Sequence, residues 1–399
     1  MRIVLALLYY DETRAVGGPT RYLDEEPLDR ELGAALARAG HDVEVVIHFP
    51  IDTTIEHERV RIHFVAPSGG ARALGSVAKG LGRGRAYYEP ALRAIDAIVR
   101  ARADIVHFHG TAMNLNLALL RARLDPAGLV VQHHGGGPAK TRMGCRLQRW
   151  GLARADRLLF VSKTHARPFV AAGVIRDTSR IECAFEISTA FKPPPLEDAR
   201  RRSGLVGDPI FVSAGRLHPD KDPLTMLKGF ELIAQRWPEA RLYVCYITDE
   251  LLSEMVRYVA RRPGLEKRVH FLGRIPHDEM AAILGSADFL LQASLREVQS
   301  YAVTEALAAG AMPVVTRIDA FEEITDRGRH GLLFNPGDPE ALARAVLSLG
   351  QSDLRARRDS LRAYFEAHLS FASMARRLEE IYGRVLTERN NEHQAPVSG

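Results

Sequence analysis

The residues best suited to chemistry come in two groups. Arg216 and Lys221 follow the apolar run Ile210 to Ala214, and Glu297 and Glu305 follow the apolar run Phe289 to Ala293. A run that ends in Gly215-Arg216 reads as a buried strand opening into a loop, which carries Lys221 towards the same crevice before a helix begins at Pro223. Two fixed cations at a strand end suit a diphosphate, whose oxygens accept charge-assisted hydrogen bonds. Carboxylates accept pairs of hydroxyl hydrogen bonds, which is what sugars present. The spacing predicts that Glu297 lies in a loop and that Glu305 lies about two turns into an alanine-rich helix ending at Gly310.

Two sheets must position these groups. Short apolar runs at Ile3 to Tyr10, Val43 to His48, Arg61 to Ala66, Asp104 to His109, Leu129 to His133 and Arg157 to Val161 alternate with helical spacing such as Leu92, Ile95, Ile98 and Val99. That is the βαβ rhythm of a parallel sheet. After Phe191-Lys-Pro-Pro-Pro195, which reads as a semi-rigid linker, the rhythm restarts at Ile210 to Ala214 and continues through Arg241 to Ile247, Arg268 to Gly273, Phe289 to Ala293, Met312 to Thr316 and Gly331 to Phe334. The expected organisation is an α/β chain with a Rossmann-like parallel-sheet domain over 1–195 and another over 196–370. A helix over 371–388, with Met374, Leu378, Ile381, Tyr382 and Val385 on one face, packs back on the domains, and a frayed tail covers 389–399.

Composition excludes several classes. The 399 residues carry an ordinary apolar content, which argues against disorder and against a membrane-spanning chain. The run Ile3 to Tyr10 is too short to span a bilayer and meets Asp11 and Glu12. Cys145, Cys183 and Cys245 lack a CxxC spacing, so neither a disulfide framework nor a zinc site is indicated, and a reducing cytoplasm is expected. Up to Pro195 there are 27 basic and 20 acidic residues, and after it 27 and 29. The surplus crowds Arg72 to Arg102 and Lys140 to Arg167, which suits a charged acceptor or peripheral contact with anionic headgroups on the inner face of a membrane. A codon bias towards arginine gives the same skew, and no recognised nucleic-acid motif accompanies it.

Taken together these pieces resemble the retaining glycosyltransferases of family 4 (glycosyl transferases group 1). Members typically show a Gly-Gly loop after the first strand, a Gly-His turn before the second, an Arg and a Lys after the first strand of the C-terminal domain, and two glutamates separated by seven residues. Here Gly17-Gly18, Gly40-His41, Arg216 with Lys221, and Glu297 with Glu305 hold those places. The resemblance implies the GT-B fold, two Rossmann-like parallel-sheet domains facing across a cleft, the first binding the acceptor and the second the donor. It further implies that Arg216 and Lys221 hold and stabilise the leaving diphosphate, that Glu297 contacts the transferred sugar, and that Glu305 contacts the ribose. His134, in Gln132-His-His-Gly135, stands where the family places a histidine near the anomeric centre. A buried structural histidine is the alternative there, and a metal pair with His107 and His109 lacks a third ligand type.

Gly17 and Gly18 would let backbone approach a phosphate, or form a plain turn, and Pro19 and Pro27 are expected to interrupt the helix that follows. Two departures stand out. Val298-Gln299-Ser300 replaces the usual Gly-Phe-Gly, leaving Gln299 and the backbone donors of Ser300 and Tyr301 at the donor site, and Phe185-Glu-Ile-Ser188 replaces the usual Asn-Gly-Val-Asp. Gly135 to Thr141 fails as a phosphate loop because Pro138 and Ala139 intrude, and Gly80-Leu-Gly-Arg-Gly84 does not follow a strand in the dinucleotide pattern. The implied activity is metal-independent, cofactor-free, retaining transfer of a sugar from a nucleotide diphosphate-sugar to a saccharide, lipid-linked or small-molecule acceptor, as in cell-envelope polysaccharide synthesis. A nucleotide-sugar epimerase or hydrolase and a non-catalytic partner subunit are the competing readings.

Overall fold

The computed structural model describes residues 1–8, 15–25, 27–80, 89–124, 126–190, 192–349 and 351–394. Tyr9 and Tyr10 of the first expected strand, Phe191 of the linker and Leu81 to Gly84 of the failed glycine motif lie outside them. The chain divides into two compact units, one of residues 1–186 joined by 371–399 and one of residues 187–370.

The first unit holds an eight-stranded sheet in the order β3-β4-β2-β1-β5-β6-β7-β8. Its strands are β1 Arg2–Leu7, β2 Asp42–His48, β3 Thr53–His57, β4 Val60–Val65, β5 Ile105–His109, β6 Gly128–Gln132, β7 Arg157–Phe160 and β8 Ile181–Cys183. β3 runs antiparallel to β4 and the described pairings among the other strands are parallel. The central strands β5 and β6 are buried throughout, as a sheet covered on both faces requires. β3 was missed in the sequence because it is an exposed edge of polar residues, and β8 because it has three half-buried residues only.

The glycine loop is followed by two helices, Gly18–Glu25 and Leu28–Arg38, so the interruption expected around Pro27 is present. Gly17 and Gly18 both take positive φ, at 106° and 83°. A Cβ on Gly17 would also stand 2.5 Å from Arg21 Cδ.

The C-terminal helix runs Phe371–Gln394, longer than expected, and it belongs to the first unit alone. Met374, Ala375, Leu378, Ile381, Tyr382 and Val385 are buried in the same cluster as Ile3, Leu5 and Ile105. Gly128 makes this approach feasible, since a Cβ there would stand 2.6 Å from Val385 Cγ1. The tail expected to fray from 389 is helical to Gln394. Arg389 is buried, donates to Pro126 O at 2.9 Å and pairs with Asp156 at 3.1 Å, which explains why a polar sequence stays ordered.

The second unit holds a six-stranded parallel sheet in the order β11-β10-β9-β12-β13-β14. Its strands are β9 Ile210–Gly215, β10 Arg241–Tyr246, β11 Val269–Gly273, β12 Phe289–Gln292, β13 Met312–Thr316 and β14 Leu332–Phe334, each within a residue of the sequence expectation. The order reverses between β9 and β12, whose chain continuations carry Arg216 with Lys221 and Glu297. Ligands of open parallel sheets bind outside the carboxyl ends of strands at such a switch point. Behind it, the buried Arg358 donates to the carbonyls of Gly285, Ala287 and Ala309, satisfying the ends of two helices whose last carbonyls have no partner inside the helix.

Candidate active site

In the second unit, the loop after β9 is fixed to the loop after β12. Leu295 N donates to Asp220 O at 2.8 Å, and Arg296 reaches both carboxylate oxygens of Asp220 at 3.1 and 3.2 Å. This hydrogen bond, ahead of other effects, holds the Asp220 carboxyl below its usual range. Asp222 takes a left-handed conformation (φ 42°) and caps the helix Pro223–Arg236 through Thr225 N. The nearby acids thus have other tasks, and Lys221 pairs with Glu297 instead. Both side chains are shielded, 21% and 10% exposed, and Ser294 Oγ donates to the same Glu297 oxygen at 2.9 Å.

Arg216 points elsewhere in character: it is exposed, and among the described residues no carboxylate lies within ion-pair distance of it. Arg216, Lys221, Gln292 and Ser294 line one small pocket with Gly215 and Cys245. Its floor is braced by Gln292, which donates to Ala214 O at 2.9 Å and accepts from Ser300 Oγ at 2.9 Å. Ser300 in turn caps the helix Tyr301–Ala309. Gln299 and Ser300 are buried and Tyr301 is 42% exposed, so the three residues following the Glu297-Val298 turn face different surroundings.

Glu305 lies just over one turn into that helix, not two. It is buried, and burial pushes its carboxyl up to about 8, so in the ligand-free chain it is a neutral acid at pH 7 rather than the carboxylate the sequence suggested. His277 Nδ1 stands 3.8 Å away, and its own basicity is lowered first by burial. At neutral pH the two are uncharged neighbours, not an ion pair.

The first unit assembles histidines from adjacent strands. His107 and His109, two apart on β5, face the same way and stack at 4.6 Å between ring centroids. His134, just past β6, stacks on His109 at 4.8 Å, with His109 Nδ1 and His134 Nε2 2.8 Å apart. The column ends in acids and a phenol: His134 Nδ1 lies 3.1 Å from Glu186, His109 Nε2 lies 3.4 Å from Asp29, and His107 Nδ1 lies 2.7 Å from Tyr382 OH. His133 faces the other side, as the strand alternation predicts, between Phe160 and Phe169 with Nδ1 2.9 Å from Thr111 Oγ1.

Burial leads the causes that lower these groups, His107 to about 3, His133 to about 4 and His109 well below its usual value. Across the 2.8 Å contact of the His109 and His134 rings one nitrogen donates and the other accepts, while Asp29 and Glu186 stand within ion-pair distance of the outer nitrogens. His134 is the exposed end of the column, at 28% side-chain exposure. No group of three or more His, Cys, Asp or Glu that could hold a metal occurs among the described residues.

Sequence reasoning missed Asp29 and the role of Glu186. The signal for Glu186 was available in the departure at Phe185 to Ser188; Asp29 carried none, being a helix residue brought in by tertiary packing. The wide depression lined by Glu44, Asp52, Arg61 and Arg93 is a different kind of place. Four of its charges are paired, Arg61 with Glu44 and Arg93 with Asp52, at the β3–β4 edge away from strand ends that carry the site.

Residues 30–185 match the family described as Glycosyltransferase Family 4, and residues 208–352 match Glycosyl transferases group 1. The chain is 26% identical over 200 residues to the D-inositol 3-phosphate glycosyltransferase of Corynebacterium glutamicum, covering 49% of this chain and 48% of that one. It is 25% identical over 292 residues to the GDP-mannose:cellobiosyl-diphosphopolyprenol alpha-mannosyltransferase of Xanthomonas oryzae, 71% of this chain and 74% of that one. The chain spans about half or less of the length of several curated relatives it matches. In structure it is similar to the sucrose-phosphate synthase of Thermosynechococcus elongatus, with a TM-score of 0.68 at 18% identity over 97% of this chain and all of that one, a likeness of fold.

Proposed function

We propose, from the premise that the chain belongs to glycosyltransferase family 4 (glycosyl transferases group 1), that it moves a hexosyl group from a nucleotide diphosphate-sugar to an acceptor with retention at the anomeric carbon. The observation that carries this reading is the shielded Lys221–Glu297 pair beside an exposed Arg216, which has no carboxylate at ion-pair distance among the described residues, at the switch point of the second sheet. Arg216 and Lys221 bind the diphosphate and stabilise the charge it gains on leaving. A ligand phosphate competes with Glu297 for Lys221, freeing the carboxylate for sugar hydroxyls. Gln299 and the backbone of Ser300 and Tyr301 at the helix start bind the donor, Glu305 bonds the ribose, and Gly17-Gly18 let backbone approach a phosphate. The chemistry is assigned to these fixed charges without a metal or resident cofactor.

In the first unit His134 serves the acceptor, with Glu186 and His109 positioning its ring. The acceptor read as best supported is a lipid-linked saccharide, as the Xanthomonas relative's name prints for that protein, placing the work in cell-envelope polysaccharide synthesis at the cytoplasmic membrane face. The test is binding of UDP, GDP and ADP and their sugars, with Arg216→Ala/Lys221→Ala as control, followed by product analysis. Selective binding lost in the control, and product of retained configuration only when acceptor is added, supports the reading. Hydrolysed or epimerised donor without acceptor would replace it with the hydrolase or epimerase reading, and no nucleotide binding by folded protein with the partner-subunit reading.

A further inference from the structure

The helix Arg142–Leu152 buries one side, through Gln148, Gly151 and Leu152, and leaves large apolar side chains on another. Met143 is 62% exposed, Leu147 53% and Trp150 47%; their spacing of four and three places them on one face. Exposed apolar residues scattered singly need no explanation, but three aligned on one short helix do. They are flanked by cations: Arg142 and Arg146 are exposed on the adjoining strip, Lys140 precedes the helix, and the Arg154 guanidinium sits 4.2 Å over the Trp150 ring. From Pro126 to Ala155 the sequence contains five basic residues and no acid, so no carboxylate within this segment neutralises the strip.

An apolar stripe with a tryptophan and a basic border has the chemistry of an interfacial helix, which lies flat with its apolar side in the headgroup boundary. A protein partner with an apolar patch would fit Met143, Leu147 and Trp150, but the one-signed border of long, flexible cations complements a surface of many phosphates more than a patch of fixed shape. No helix among the described residues is long and apolar enough to cross a membrane, so attachment here would be from one side. We infer that the face formed by Met143, Leu147 and Trp150 with Arg142 and Arg146 docks on an anionic lipid bilayer.

The loop 135–141 leads from His134, at the carboxyl end of β6, straight into this helix. Docking there holds the His134 end of the sheet at the depth where a lipid-linked headgroup is presented. The inference deepens the lipid-linked acceptor reading and is tested apart from it, because vesicle binding needs neither donor nor turnover.

The experiment is co-sedimentation of the full chain with phosphatidylcholine vesicles, with and without phosphatidylglycerol. Wild type should pellet with the anionic vesicles and not with the neutral ones. Met143→Ser/Leu147→Ser/Trp150→Ser, all surface positions, should weaken that partition at least ~10-fold with an unchanged circular dichroism spectrum. Arg142→Ala/Arg146→Ala should weaken it and flatten its salt dependence. Wild type that ignores anionic vesicles, or a triple variant that binds them as well as wild type, overturns the inference. So does light scattering that finds a wild-type dimer dispersed by the triple variant, because the face then belongs to a second copy. Vesicle binding that holds in a protein without transferase activity would sink the acceptor reading and leave the docking face standing.

Discussion

The two units build their sites from opposite electrostatic materials. The second uses permanent charge: Lys221 against Glu297, Arg296 against Asp220, and Arg216 left over, all in loops beyond β9 and β12. The first uses imidazoles, buried so deeply that His107, His109 and His133 stay neutral at pH 7, with His134 at the exposed end of the column. Fixed charge suits a group that gains charge abruptly, such as a departing diphosphate. A stacked column suits holding one ring in one orientation and one protonation state.

Charge removal in the second unit should give the largest effect. Arg216→Ala and Lys221→Ala are each expected to lower turnover by ~100-fold or more, about 2.7 kcal/mol of barrier, with nucleotide affinity falling in parallel. Glu297→Gln keeps the bond from Ser294 and releases Lys221, so it should lose turnover while nucleoside diphosphate binding holds or tightens. Steady-state kinetics and calorimetric titration read both. A Lys221→Ala enzyme of near-normal rate would erase the distinction drawn between the two units.

Acid should separate the units next. The folded-state values of His107 and His133 lie below the ordinary histidine value, so their contribution to stability is complete above pH ~6.5 and is lost as the pH falls towards ~4. The loss is on the order of 2 kcal/mol for each histidine by pH 5, about 4 kcal/mol for the two. Hydrogen exchange corrected for intrinsic rates should show β5 and β6 losing protection between pH 6.5 and 4.5 before β9 and β12 do. Glu305 acts in the other direction, because its folded value is raised. It weakens the second unit as pH climbs from ~4.5 towards 8, and Glu305→Gln should remove that slope. Simultaneous loss of protection in both sheets at low pH would show that the histidine column is not the acid-labile element.

A smaller effect, about 10-fold in turnover or 1.4 kcal/mol, is expected for Glu186→Gln and for Asp29→Asn. Neither touches the donor groups, so the change should fall on the pH profile and on the acceptor KM, with donor affinity intact. Nitrogen NMR of the His134 ring gives a readout beyond activity: loss of Glu186 should move its titration, and a variant with an unmoved titration would deny Glu186 a positioning role.

Why one site was legible and the other was not follows from the same contrast. Arg216, Lys221 and Glu297 announce themselves because each sits next to its own strand end, so a reading of strand, loop and charge along the chain brings them together. The same logic recovered the core strands of both sheets nearly residue for residue. It failed at β3, whose Thr-Thr-Ile-Glu-His has no apolar run to notice, and at Arg389, whose order depends on partners more than 200 positions away. The histidine column is a product of register. Phe108 pairs with Val131 and His109 with Gln132 across β5 and β6, which puts His134 beside His109, and helix packing alone delivers Asp29 and Tyr382. Glu305 was located but misjudged in charge, because burial is a property of the folded helix and not of the motif.

The gentlest change probes how closely the column depends on its inner end. Tyr382 is fully buried on the C-terminal helix, and its hydroxyl is 2.7 Å from His107 Nδ1. Tyr382→Phe keeps the ring, which packs edge-on to His107 at 5.9 Å, and removes only that hydrogen bond. It leaves a buried imidazole nitrogen without this partner, at a cost of about 1 kcal/mol. Thermal or denaturant unfolding should report that loss. Kinetics decide what the column is for. Unchanged turnover at pH 7 is expected, because His107 contacts His109 by stacking, whereas Asp29 and Glu186 hold the hydrogen-bonded rings directly. A Tyr382→Phe enzyme that lost turnover as Glu186→Gln does, with no larger loss of stability, would extend the functional unit from the exposed His134 down to the C-terminal helix.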